Sequence, residues 1–226
     1  MTKTASGSSA AAGAILCFGE MLLRLSPNQN ELLLQSPALT VRPGGAEANV
    51  AVSLARFGAP TRMATVLPDN ALGHAARDEV RKHGVDTTHI VFTPGRMGLY
   101  FLTPGAVRRP SEVLYDRAGS AFVEHVDTAF DWDRLLDGVE WLHASGVTPA
   151  TGPNGSAAAV AIIEAAVRKG AAVEAGQADV EQHHLVFLLA QRVLALQAVQ
   201  CPVDGKAGHA KAALHAAAEH DVVFDQ

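Results

Sequence analysis

Cysteine is scarce in this chain, which argues against a disulfide framework. The 226 residues contain two cysteines, Cys17 and Cys201, far apart in the sequence and each in apolar or proline-containing surroundings. Nothing around them has the spacing of a metal-ligand motif. We therefore predict buried thiols in a reducing compartment, and no metal site.

The chain also lacks a block of basic residues and a long hydrophobic run. Lysine and arginine number 18 against 23 acidic residues, a net charge of −5. Nucleic acids and anionic membranes are therefore not expected as partners, since both attract clustered positive charge. The longest apolar run, residues 185–190, is too short to span a bilayer. With 48% hydrophobic and 18% charged residues, the composition is that of a soluble globular protein.

No apolar segment of signal-peptide length is present at the N-terminus. Residues 1–13 are rich in serine, alanine, threonine and glycine. They predict a disordered leader on a cytoplasmic protein.

Short apolar runs alternate with helical patterns over most of the remaining chain. Runs at 14–20, 61–67, 87–92, 139–145 and from 171 predict buried strands. Helical periodicity separates most of them, and this alternation predicts a parallel sheet with crossover helices. The residues expected on the buried helical faces are Val50, Leu54 and Phe57; Leu72, Ala75, Ala76, Val80 and His83; and Val160, Ile163 and Val167.

Two strand-like runs interrupt this alternation. Residues 98–102 and 113–117 flank a segment with two prolines and a glycine. They predict an antiparallel pair in a small second sheet, whose partner lies in the extended segment 22–41.

Gly44 and Gly45 lie where a loop gives way to a helix. Glycine allows a ligand to approach the backbone closely, and a helix N-terminus offers free N–H donors to polar groups. A bare glycine pair is also typical of an ordinary tight loop before a helix, so the rest of the chain must decide between these readings.

Several separated segments resemble the N-terminal half of the ribokinase-like (PfkB) sugar kinases. They are 15–20, the Gly-Gly-x-x-x-Asn signature at 44–49, 54–58, 73–87 and 142–149. Within the family, Gly19–Glu20, 45–47 and 98–100 are most similar to 2-keto-3-deoxygluconate kinases. The resemblance covers roughly residues 14–173.

The resemblance implies an α/β fold: a mostly parallel sheet between helices, with a small β-sheet lid near 22–42 and 97–117. It implies transfer of the ATP γ-phosphoryl group to a sugar or sugar acid with Mg²⁺, and a homo-oligomer formed through the lid. The family's substrate contacts correspond to Gly44, Gly45 and Asn49, to the lid residues Tyr100, Tyr115 and Arg117, and to the main chain of Val147.

The chemistry of these side chains suits such a role, because phenols hydrogen-bond hydroxyl groups and a guanidinium binds a carboxylate through two N–H groups. Each residue also has an ordinary interpretation. Tyr100 and Tyr115 fit amphipathic strands, Arg117 fits a solvated surface charge, and Asn49 fits a helix-surface amide.

The family's catalytic motifs, Asn-x-Arg and Gly-Ala-Gly-Asp, are not found after residue 173. We therefore assign no catalytic residue and expect a domain truncated on its C-terminal side, with a divergent helical tail at 174–226 and little phosphoryl transfer by this chain. The alternatives are a non-catalytic sugar-binding or dimerising remnant, and another specificity of the family such as fructokinase.

Overall fold

The computed structural model describes residues 13–176. The predicted leader up to residue 12 and the predicted tail from residue 177 lie outside the described residues, as does Cys201. The nine strands of the described part are β1 (Ala14–Phe18), β2 (Leu22–Ser26), β3 (Thr40–Gly44), β4 (Thr61–Pro68), β5 (Asp86–Thr93), β6 (Leu99–Thr103), β7 (Glu112–Asp116), β8 (Val139–Ser145) and β9 (Ala172–Gly176). Its six helices are α1 (Ala46–Arg56), α2 (Ala71–Arg81), α3 (Ala121–His125), α4 (Trp132–Leu135), α5 (Val147–Ala150) and α6 (Pro153–Lys169).

The strands form two sheets. The larger has the order β5-β4-β1-β8-β9, and all of its pairings are parallel. The smaller has the order β3-β2-β6-β7 and is mixed, because β2 and β6 run parallel while the outer pairs are antiparallel. The predicted α/β fold with a small second sheet is confirmed, and we call the second sheet the lid.

Strand β1 supplies both faces of the parallel sheet. Ile15 and Cys17 belong to the apolar cluster that packs with α1 and α2, whereas Leu16 and Phe18 belong to the cluster that packs with α3, α4 and α6. Alternating side chains point to opposite faces of a strand, so an unbroken apolar run suits a strand with helices on both sides. The prediction that Cys17 is buried is confirmed.

The helices predicted within residues 13–176 are present, but some of their expected buried positions are wrong. Phe57 is 75% exposed and Leu72 is 52% exposed, although both continue an apolar spacing. Phe57 is the C-terminal cap residue of α1, and Leu72 lies in the first turn of α2. In α6 the most deeply buried branched residue is Ile162, and most of the other buried residues of this helix are alanines.

Within residues 13–176, no helix is long and apolar enough to cross a membrane.

Candidate functional site

The chain passes between the two sheets at four places. These passages meet on the side of the parallel sheet where the carboxyl end of its central strand, β1, lies. It leaves β1 for the lid at Gly19–Met21 and returns through Gly44–Gly45 into α1. It enters the lid again before β6 and leaves it after β7, on the way to α3. The carboxyl end of β1 therefore faces the lid, and ligands of open α/β sheets bind outside the carboxyl ends of the strands.

Three residues of the predicted sugar site lie close together on the strands of the lid. Tyr100 on β6 and Tyr115 on β7 are directly paired in register, and their ring centroids are 5.8 Å apart. Gly44 lies against the first ring, since a Cβ added to this glycine would be 2.8 Å from the Tyr100 hydroxyl oxygen. The absence of a side chain at Gly44 is what makes room for the phenol.

Arg117 completes this cluster from the segment after β7. Its guanidinium carbon lies 4.1 Å from the centroid of the Tyr115 ring, a cation–π contact. One guanidinium nitrogen is 3.4 Å from Oε2 of Glu20, and the arginine side chain is only 18% exposed. Arg117 is therefore held between an aromatic ring and a buried carboxylate, unlike a freely solvated surface charge. We call Tyr100, Tyr115 and Arg117 the lid cluster.

Gly45 and Asn49 lie in the first turns of α1. Gly45 has a φ of +148° and a ψ of +132°, a conformation that is open essentially to glycine alone. Its carbonyl oxygen accepts a hydrogen bond from the backbone N–H of Asn49 at 2.9 Å. Among the described residues, the buried Oδ1 atom of Asn49 has no hydrogen-bond partner. A buried amide oxygen without a partner is uncommon and is suited to accept from a ligand.

Val147 lies just after the end of β8. Residues 147–150 form one helical turn, α5, rather than irregular structure. The Val147 amide nitrogen donates to Ser145 Oγ at 3.2 Å, and that hydroxyl donates to Glu47 Oε1 at 2.5 Å. The same carboxylate oxygen accepts from the Ser145 amide nitrogen at 2.9 Å. Val147 is thus linked through Ser145 to Glu47 at the start of α1.

Sequence reasoning assigned no role to Glu20 and Glu47, which are 1% and 0% exposed. Each is a carboxylate in an otherwise apolar, buried stretch, next to a glycine pair or directly after a buried strand. The sequence alone does not distinguish them from solvated carboxylates; their burial does, because an acidic residue is almost never fully buried without a partner.

Burial changes the acidity of these groups. Desolvation raises the pKa of Glu20 to about 7, although Arg117 and the Ser120 hydroxyl oppose the rise. Desolvation likewise raises the pKa of Glu47, against the hydrogen bonds from Ser145. Burial lowers the pKa of His143 on β8 to about 4.

We predict that Glu20→Gln stabilises the protein at alkaline pH. A carboxyl group whose pKa is raised by folding contributes stability that is fully present below its unfolded pKa near 4.5 and is lost as the pH rises through about 7. Glutamine mimics the neutral form at every pH. The variant should match the wild type near pH 4 and exceed its free energy of unfolding by on the order of 2–3 kcal/mol at pH 8, as measured by urea denaturation.

The control for this experiment is Glu79→Gln, on the partly exposed side of α2, which should change the free energy of unfolding by less than about 1 kcal/mol throughout. His143 titrates in every variant and cancels from the differences. A Glu20→Gln effect that is constant from pH 4 to pH 8 would contradict the assignment.

A metal site is not evident in the described part of the chain. Residues 13–176 contain no group of three or more histidine, cysteine, aspartate or glutamate side chains that could hold a metal ion. One oxygen of Glu20 accepts from Ser120 and one of Glu47 accepts from Ser145, while the other oxygen of each makes no hydrogen bond within this range and that of Glu20 lies 3.4 Å from Arg117. These residues do not fit a Mg²⁺–nucleotide centre, and no phosphoryl-transfer step is assigned to them.

The parallel sheet, the inserted lid and the cluster at their junction define a ribokinase-like α/β protein. The chain belongs to the pfkB family of carbohydrate kinases, whose family model matches residues 13–187. The prediction from the sequence motifs is confirmed at this level.

Three similar proteins illustrate the relationship. The 2-dehydro-3-deoxygalactonokinase of Haloferax volcanii is 37% identical over 139 residues, which cover 60% of this chain and 42% of that protein. The crystal structure of 2-dehydro-3-deoxygluconokinase from Thermotoga maritima is 40% identical with a TM-score of 0.73, covering 81% of this chain and 56% of that one. The structure of fructokinase with bound ATP from Xylella fastidiosa is 25% identical with a TM-score of 0.64, covering 75% and 50%. The chain thus spans about half the length of the relatives it matches.

Proposed function

We propose that residues 13–176 form the acceptor-sugar side of a kinase that transfers the γ-phosphoryl group of ATP to a sugar acid of the 2-keto-3-deoxygluconate type. The observation that carries this proposal is the Arg117 guanidinium, held between the Tyr115 ring and the Glu20 carboxylate at the junction of lid and sheet. A cation fixed beside phenols and glycines suits a ligand with both a carboxylate and hydroxyl groups.

The residues have separate tasks. Arg117 binds the substrate carboxylate, and the phenols of Tyr100 and Tyr115 hydrogen-bond its oxygens. Gly44 and Gly45 let the sugar approach the backbone, Asn49 offers an amide oxygen to a hydroxyl group, and the main chain of Val147 makes a further contact. ATP supplies the phosphoryl group, and in such transfers positioning of the acceptor hydroxyl accounts for much of the rate.

Calorimetry with 2-keto-3-deoxygluconate tests the substrate class. We expect Arg117→Lys to weaken binding by about tenfold to a hundredfold, because an ammonium cannot make the paired N–H contacts of a guanidinium. Tyr115→Phe should weaken it by about fivefold, the loss of one hydrogen bond.

Arg108→Lys, an exposed lid position, is the matched control and should bind like the wild type. Fructose has no carboxylate, so its affinity should not change in Arg117→Lys. Equal losses for the keto acid and fructose, or no keto-acid binding at all, would count against the sugar-acid assignment.

A non-catalytic sugar-binding module is the second candidate, because the residues of the candidate site are suited to binding and none of them is assigned to phosphoryl transfer. The same calorimetry without nucleotide, combined with a coupled assay of ADP release in ATP and Mg²⁺, separates the two. Keto-acid binding with no ADP release supports the module, and sustained ADP release supports the kinase. Tighter binding of fructose than of the keto acid supports a fructokinase specificity.

We also propose that two copies of the chain associate through their lids. Strand β7 forms an edge of the lid, and it exposes Val113, Leu114 and Tyr115, which favours pairing of two lids.

A further inference from the structure

Glu20 lies where all passages between the two sheets meet. It follows β1 directly and precedes β2. Its carbonyl oxygen would be 2.5 Å from a Cβ added to Gly45, and its Oε1 atom 2.8 Å from one added to Gly98. Arg117 and Ser120, which follow β7, reach the two oxygens of its carboxylate.

Each oxygen of the carboxylate therefore faces one group from the end of the lid, a hydrogen-bond donor at Oε1 and, among the described residues, a charged partner without a hydrogen bond at Oε2. The Ser120 hydroxyl donates to Oε1 at 3.2 Å, and Oε2 lies 3.4 Å from a guanidinium nitrogen of Arg117. Ser120 also caps helix α3, where its Oγ accepts from the Val123 amide nitrogen at 3.3 Å. Through these contacts Glu20 connects the parallel sheet, the lid and the return of the chain to the sheet.

We propose that Glu20 is a positioning residue whose ionised form, at a cost in folding stability, holds the end of the lid against the parallel sheet and orients Arg117 for a substrate carboxylate. The second half of this proposal rests on the sugar-acid function proposed above; the first half does not.

The geometry favours orientation of Arg117 over competition for it. A guanidinium carries five N–H donors in one plane. Glu20 contacts one nitrogen and the Tyr115 ring covers a face, so further donors along the edge of the plane can bind a substrate carboxylate while the ion pair persists. A guanidinium held in place before binding loses less conformational freedom when the ligand arrives.

The charge of Glu20 depends on the groups that face it. These are Arg117 from the end of the lid and Glu47 from α1, together with the neutral Ser120 hydroxyl. Since burial raises the pKa of Glu20 to about 7, the ion pair weakens below that pH, and the orientation of Arg117 should weaken with it.

The first test needs no ligand. The chain contains two tyrosines, and both belong to the lid cluster, so ring ¹³C-labelled tyrosine gives two sets of NMR signals that report on the lid alone. We expect Glu20→Gln, and the wild type when the pH falls through about 7, to move the Tyr115 signals as Arg117 leaves the ring. Glu79→Gln is the control and should leave them in place.

Tyr115→Phe assigns the signals. Gly98→Ala is the second variant, because its Cβ would displace the Glu20 carboxylate without removing the charge; it should move the same signals. If the Tyr115 signals stay in place in both Glu20→Gln and Gly98→Ala, the proposal is overturned, independently of any result on ligand binding.

The second test is calorimetry of the full chain with 2-keto-3-deoxygluconate at pH 8. Glu20→Gln should weaken binding about tenfold in the wild-type background and less than twofold when Arg117→Lys is already present, because the two residues act as a unit. Unchanged or tighter binding in Glu20→Gln would mean that Glu20 does not orient Arg117. If the wild type itself fails to bind the keto acid, the sugar-acid function and the binding of a substrate carboxylate by Arg117 fall together, while the tyrosine signals still decide whether Glu20 positions Arg117 at the end of the lid.

Discussion

Gly45→Ala is expected to destabilise the protein by about 3 kcal/mol and to weaken sugar binding with it. The φ of +148° places Gly45 in a region that other residues essentially do not adopt. In addition, the new Cβ would lie 2.5 Å from the carbonyl oxygen of Glu20, which is backbone and cannot rotate away. The substitution therefore forces apart two of the four passages that connect the lid with the parallel sheet.

The matched control is Gly58→Ala, after the C-terminus of α1. Gly58 also has a positive φ, +83°, but a Cβ there would have no atom within 4 Å. We expect a cost of about 1 kcal/mol, which is the intrinsic penalty of the left-handed conformation. Urea denaturation followed by circular dichroism measures both variants, and equal effects would show that the contact with Glu20 does not matter.

Phe18→Ala is expected to lower the free energy of unfolding by about 3–5 kcal/mol. Phe18 ends the central strand β1 with no exposed surface. Its ring makes edge-on contacts with Phe130 and Trp132, at centroid distances of 5.9 and 5.6 Å, and a tilted contact with Phe122 at 6.4 Å. Removing it leaves a cavity among large rings that cannot easily collapse.

The comparison for this experiment is Phe57→Ala, the same change at a side chain that is 75% exposed. We expect less than about 1 kcal/mol there. If Phe57→Ala lowered the free energy of unfolding as much as Phe18→Ala, Phe57 would be buried as the apolar spacing of α1 predicted, and the exposed position of its side chain would be contradicted. Circular dichroism is preferable to fluorescence as the probe, since Trp132 is itself a contact of Phe18.

Much of the fold was predictable because its signals are local. The apolar run at 14–18 reads as a doubly covered strand whatever surrounds it, and Gly58, Gly84 and Gly170 end helices through a backbone conformation that glycine favours. Which helical residues are buried was less predictable. Ile162 is buried and Leu72 exposed, and which residues of a helix face the sheet depends on contacts that form only in the tertiary structure.

The residues of the candidate site likewise fall into those that the sequence predicted and those that only the structure revealed. Gly44, Gly45, Asn49, Tyr100, Tyr115, Arg117 and Val147 were found from motifs, and their role in sugar binding remains a proposal. The carboxylates that hold this site were not found, because Glu20 and Arg117 are distant in the chain and become partners only when the lid folds onto the end of β1.

By itself the sequence determined the family, the alternation of strands and helices, and the insertion of a second sheet, since each follows from short-range periodicity or a contiguous motif. Only the tertiary structure decided that Glu20 is buried at the junction and paired with Arg117 and Ser120, and that Glu47 holds Ser145 at the end of β8. The physical reason is that a carboxylate in a sequence looks the same whether it is solvated or buried. Its pKa, its partners and its role depend on the chain segments that remove it from water.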